Sequence, residues 1–263
     1  MKDGAIKFLY AFDCYLLYVL SGVISSLGVV AYYSIAAARD FGELGASVDS
    51  NSFSDYIADV LSGKSSVVLL VSYMLVLLVA LVVFAVRRGN LSTYTGLSYC
   101  RPISVISSVL LGVFLNVIIS YFAPTEAGEE TTLNSILILC IVLGPFIEEF
   151  MFRGVLLKMF GGAVGIFFSV IITSALFAVS HGDFSQGAYT FILGLVLAIV
   201  RYKSTSLWSA IAMHMAFNVT GALLSSFNLS FDGFEVLIIS IAAIAFLVLS
   251  CTGGRKVKKK RKA

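Results

Sequence analysis

The residues best equipped for chemistry in this 263-residue chain are two adjacent glutamates, Glu148 and Glu149, an arginine four positions on, Arg153, and the chain's two histidines, His181 and His214. All lie within or at the ends of apolar stretches, where an ionisable side chain is expensive and marks a function by default. Arg153 falls one helical turn beyond Glu149, so the two share a face and can form an ion pair that neutralises one carboxylate. Glu148 points about 100° away at 3.6 residues per turn, which leaves it as the carboxylate for chemistry. Phe177 precedes His181 by four and Asn218 follows His214 by four, so each pair also shares a face. A carboxylate and an imidazole can activate water while imidazole and carboxamide donors stabilise a developing oxyanion. Such a set can hydrolyse an amide. Taken singly, each part has an ordinary structural reading: a buried histidine as a packing residue, a Glu–Arg pair as a lock. The joint placement of both histidines beside an intramembrane acid pair weakens that reading.

The elements that must carry these residues are membrane helices. Hydrophobic residues make up 59% of the chain and charged ones 13%, with a mean hydropathy of +0.98, outside the range of a soluble domain. Apolar stretches near the length of about 20 residues needed to cross a bilayer recur throughout. They predict an all-α polytopic membrane protein of about eight helices, roughly 11–37, 66–86, 103–123, 133–159, 163–181, 187–201, 205–225 and 235–252. The whole of 1–263 reads as a single membrane domain, without internal repeats. Gly144-Pro145 predicts a kink in the fourth helix just before the carboxylates, because proline removes a backbone donor and crowds the preceding turn. The long loop 38–65 is acidic and rich in Ser, Gly and Asp, with a short surface helix expected near Phe53 to Leu61.

Charge is sorted between alternate gaps. Lys2, Lys7, Arg87, Arg88, Arg101, Arg153, Lys158, Arg201, Lys203 and the basic tail 253–263 fall on one side. Asp40, Glu43, Asp49, Asp55, Asp59, Glu126, Glu129, Glu130, Asp183, Asp232 and Glu235 fall on the other. The positive-inside rule makes the first set cytoplasmic, with both termini inside. The tail is a topology anchor that could also hold anionic lipid. Cys14, Cys100, Cys140 and Cys251 are scattered and indicate neither a disulfide frame nor a thiolate metal site. Asp13, Asn116 and Asn134 read as interfacial or helix–helix contacts rather than site members.

At the acid and histidine residues the sequence resembles the CAAX-prenyl-protease and bacteriocin-processing family of intramembrane peptidases, the Abi or CPBP family, to which the Rce1 protease belongs. Glu148-Glu149-Phe150-Met151-Phe152-Arg153-Gly154 is similar to the family's EExxxR motif, Phe177 to His181 to its FxxxH, and His214 to Asn218 to its HxxxN. The resemblance covers about 133–226, the expected catalytic core, and includes the lead-ins from Gly194 to Arg201 and at Ser206-Leu207-Trp208. Ser209, where many members have proline, and Gly182-Asp183 after the second-motif histidine depart from the pattern.

The resemblance implies an Rce1-like helical bundle and an endopeptidase cutting near the membrane surface. It assigns Glu148 and His181 to water activation, His214 and Asn218 to the oxyanion, and Glu149 with Arg153 to support. No cofactor is expected. There is no H-E-x-x-H, and a metal-free mechanism is preferred, although two histidines and a glutamate could hold zinc with an open position. The expected partners are the lipid bilayer and a peptide or membrane-protein substrate, with no nucleic acid, and the expected location is a bacterial cell membrane. Substrate and oligomeric state stay open. At about 1.5 Å rise per residue, Glu148 and His214 come near mid-membrane and His181 toward the outer end, so the side of substrate access stays open as well. The alternatives are a proton-coupled transporter using Glu, His and Asn as a relay and a non-catalytic scaffold or immunity protein.

Overall fold

A backbone surrounded by hydrocarbon must satisfy its own polar groups, so apolar runs of this length resolve into helices. The computed structural model describes residues 2–43, 50–62, 67, 70–78, 94–122, 135–182, 184–227 and 229–252. Within them it is a helical membrane protein without strands. The elements are α1 (Lys2–Glu43), α2 (Ser50–Ser62), α3 (Pro102–Phe122), α4 (Ser135–Glu149), a π-helix (Phe150–Leu156), α5 (Leu157–Val164), α6 (Ile166–Val179), α7 (Phe184–Ser204), α8 (Leu207–Ser226) and α9 (Gly233–Cys251). Residues 70–78 are also helical. Among the described residues, five helices are long and apolar enough to cross a membrane: Asp3–Phe41, Pro102–Phe122, Gln186–Ser204, Leu207–Ser226 and Gly233–Cys251.

Several boundaries move. α1 extends beyond 11–37 in both directions, and the expected surface helix is present as α2. Most of the expected helix 66–86, Asp49, Asp183, the acidic gap 126–130 and the basic tail 253–263 lie outside the described residues. The fourth helix does not break at Gly144-Pro145: α4 runs through Pro145 to Glu149. The departure from α geometry comes five residues later, at Phe150–Leu156, where the ladder widens to i→i+5 bonding. Leu157 N–H accordingly donates to Phe152 O. The expected helix 133–159 is thus two α segments joined by a π segment, and α5 then stops at Gly165.

The chain divides into two compact units, one of residues 1–13, 89–132 and 148–263, the other of residues 14–88 and 133–147. In the second, Ser26 and Ser72 hydroxyls lie 3.0 Å apart, and a side chain added at Gly144 would strike the Tyr73 ring. The first unit carries all the candidate site residues. There α3 packs against α8 and α9, α6 against α5 and α7, and α8 against α7. Leu111, Leu193, Leu197, Val200, Ala210, Met213, Phe217 and Ala243 form its buried apolar cluster.

Two polar arrangements tie this unit together. At the seam of α3, α8 and α9, the buried Ser104 hydroxyl lies 3.1 Å from that of Ser209 and donates to Ser250 O at 2.6 Å. Ser209 is thus explained: it sits in the first turn of α8, where proline is tolerated because the backbone N–H has no partner within the helix, and here its hydroxyl is used instead. Ahead of α3, four successive carbonyls each take a donor from elsewhere. Lys158 Nζ donates to Tyr94 O (3.1 Å), Arg201 Nη2 to Thr95 O (2.7 Å), Leu207 N–H to Gly96 O (3.3 Å) and Trp208 Nε1 to Leu97 O (2.9 Å). Lys158 also lies 4.2 Å from the Tyr94 ring centroid. Charges read from sequence as markers of a cytoplasmic face are here engaged in structure.

Candidate active site

The end of α4, the π-helix, α6, α7 and α8 converge on one charged cluster. Glu149, the last residue of α4, is fully buried, and Arg153 reaches back to it with Nη1 2.7 Å from Oε1. The expected ion pair is present, although Arg153 lies in a π rather than an α turn; four residues nearly complete the wider turn as well. Arg153 is 1% exposed. It belongs to this cluster and drops out of the positive surface charges, which corrects its placement in a cytoplasmic gap. Its Nη2 donates to Gly194 O on α7 at 3.2 Å. A β-carbon at Gly194 would lie 3.2 Å from that nitrogen and 3.1 Å from Ser174 Cβ, so the close approach of α6, α7 and Arg153 favours glycine there.

Glu149 does more than pair with Arg153. Its Oε1 also accepts from His214 Nδ1 at 2.9 Å, across 65 residues of sequence. A carboxylate in an ion pair can only accept, so Nδ1 carries the proton and His214 is fixed in orientation. That orientation brings His214 Nε2 to 3.9 Å from Glu148 Oε2. Glu148 and Glu149, adjacent in the chain, thus face opposite nitrogens of one imidazole. Their accessibility differs: the Glu148 side chain is 13% exposed and that of Glu149 0%. Asn218 stands one turn beyond His214 on α8 and is partly buried.

His181 lies just past α6, whose C-cap is Ser180. Its Nδ1 is 2.8 Å from Phe177 O. A carbonyl accepts, so that nitrogen donates, and a neutral ring keeps its lone pair on Nε2. Gly182, with φ +73°, turns the chain away from the helix immediately afterwards, a conformation that favours glycine and accounts for the Gly182 departure. The Phe177 ring is fully buried and touches both imidazoles, with centroids 4.7 Å from His181 and 5.6 Å from His214.

Residues 131–220 match the family of Rce1-like type II CAAX prenyl endopeptidases. This segment is Rce1-like. It holds every residue of the charged cluster and both histidines. That match, in a chain of long apolar helices, supports an integral membrane protease of CAAX type. An uncharacterised 24.3 kDa protein of Escherichia coli is similar, 26% identical over 184 residues, which is 63% of this chain and 85% of that protein. No solved structure matches.

The sequence placed Glu149 with Arg153 and set Glu148 apart, but it did not anticipate the Glu149–His214 bond or the donation to Gly194 O. Helical periodicity relates residues on one helix; nothing in it relates α4 to α8. Among the described residues, no three His, Cys, Asp or Glu side chains are placed to ligate one metal ion. Asn116 is buried on α3, accepts from Ser120 and abuts Gly221 of α8, in keeping with a helix–helix contact.

Proposed function

We infer that the Rce1-like segment is the catalytic core of an intramembrane endopeptidase that uses Glu148 as its working carboxylate. The observation that carries this reading is the division of labour in the acid pair. Glu149 is buried and committed to Arg153 and His214, whereas Glu148 is partly accessible and lies 3.9 Å from the remaining His214 nitrogen. Glu148, with His181 through Nε2, takes a proton from water as the oxygen attacks the peptide carbonyl. His214 and Asn218 donate to the oxyanion. With Nδ1–H given to Glu149, donation from His214 Nε2 calls for an imidazolium. That charge, with Arg153, balances the two carboxylates. The proton held by Glu148 then goes to the leaving amine.

The reaction so written uses no metal. Hydrolysis by the purified protein that survives exhaustive chelation supports it, and loss restored by zinc overturns this part. The substrate classes that fit are a prenylated CAAX-like tail, a bacteriocin or signalling-peptide precursor, and a membrane protein cut near the bilayer surface. The peptide that accumulates uncut in cells lacking this protein identifies the substrate. Cleavage of that peptide by the purified chain, abolished in Glu148→Gln, is the test. Glu148-dependent ion flux in proteoliposomes without cleavage favours a transporter instead.

A further inference from the structure

An acid–imidazole site works only if its rings are held at fixed angles, and here several of its members meet at one apolar side chain. The guanidinium carbon of Arg153 lies 4.3 Å from the centroid of the Phe177 ring. His181 and His214 meet the same ring at interplanar angles of 77° and 83°, and Phe152 at 75°. The Phe177 carbonyl also takes the His181 Nδ1–H. His181 lies beyond the last turn of α6, so its ring and its tautomer are both set by a residue one turn back.

The chemistry of the ring matters as well as its volume. An aromatic face is electron-rich and attracts a guanidinium, whereas its edge is positive and suits perpendicular partners. Arg153 already has Glu149 and Gly194 O as acceptors, and the ring face fixes the guanidinium from a third direction. Glu149 is held by Arg153, and His214 by Glu149. A leucine would fill much of the space without offering a face.

We propose that Phe177 is a positioning residue of the site: its ring locks Arg153, and through it Glu149, while orienting both imidazoles. The catalytic meaning rests on the peptidase reading, but the positioning can be measured without it. The chain has two histidines, so uniform 15N-histidine labelling of the full protein in nanodiscs yields two imidazoles to follow. Phe177→Leu shifts or splits both. Phe160→Leu serves as control, since Phe160 is also fully buried and packs on Phe8; it leaves both signals at their wild-type positions. Unchanged signals in Phe177→Leu, or equal changes in Phe160→Leu, overturn the proposal.

Mono-, di- and trifluorinated phenylalanines at position 177 keep the ring while draining its face, and they serve should Phe177→Leu fail to fold. The imidazole signals move stepwise along the series, and kcat for the cleaved peptide falls about tenfold overall at constant KM. Signals that stay put across the series overturn the proposal, as does a flat kcat. If no peptide is cleaved by the wild-type chain, that failure falls on the peptidase reading, and the labelled histidines alone decide the role of Phe177.

Discussion

The cluster around Glu149 and the serine seam of α3, α8 and α9 are both polar, both buried and built in part on the same helix, α8. The seam uses hydroxyls that each need one acceptor, and most find it one turn back: Ser107 on Ile103 O, Ser108 on Ser104 O, Thr220 on Ala216 O. Ser104 and Ser209 instead reach across between helices. The cluster uses ionisable groups that cannot be satisfied within one helix, and draws Glu149, Arg153, Gly194 O and His214 from four elements. Hydroxyls can be buried at little cost and serve architecture. Charges can be buried only as a balanced set, and such a set can have a member at its rim that stays accessible. Glu148 is that member.

The comparison is tested most severely by Glu148→Gln. Peptide cleavage falls by about 1,000-fold, the scale of losing a general base, while the thermal unfolding midpoint in detergent stays near wild type. Full cleavage in this variant removes the assignment. Glu149→Gln separates the two acids, because it strands Arg153 and weakens the hold on His214. It lowers unfolding stability by about 3 kcal/mol as well as activity, and equal stabilities for the two glutamine variants would erase the distinction between them. Asn218→Ala reduces kcat by about 100-fold, the cost of one oxyanion donor, and leaves the unfolding midpoint in place.

On the seam the expected pattern reverses. Ser209→Ala lowers stability by about 1 kcal/mol through the lost hydrogen bond and leaves kcat and KM unchanged, so a large catalytic effect there would blur the two regions. The smallest change is a gain. Thr205, between α7 and α8, has φ +60°, a strained setting for a β-branched residue. Thr205→Gly raises the unfolding free energy by about 1 kcal/mol without altering cleavage.

What could be read in advance follows the range over which sequence signals act. Apolar length gave the helices, and an i,i+4 relation gave the Glu149–Arg153 pair, since both depend on neighbours in the chain. The capping box of α9, where Asp232 accepts from Glu235 N–H and Glu235 accepts from Asp232 N–H, is legible for the same reason. Pro145 drew attention to the right stretch but not to the π-helix: α4 continues through it, and the wider ladder comes at Phe150–Leu156, where all seven residues are buried. Arg153 misled in another way, because a cation near a helix end looks alike whether it faces lipid head groups or a buried carboxylate. The Glu149–His214 bond and the ring of Phe177 between both histidines join separate helices, and no local pattern announces them.

The four carbonyls ahead of α3 bear on how this protein is made. Residues 94–97 emerge early, but their donors arrive late: Lys158 after 64 further positions, Arg201 after 106 and Trp208 after 111. During synthesis this segment meets its donors one by one, Lys158 first and Trp208 of α8 last, and contacts of such long range close slowly. Since Thr95 also packs against Gly154, next to Arg153, the charged cluster reaches its finished surroundings only in the last stage of assembly. A chain truncated before Trp208 would hold both glutamates, Arg153 and His181 yet lack His214 and Asn218. The charged cluster is therefore complete only once α8 has joined it.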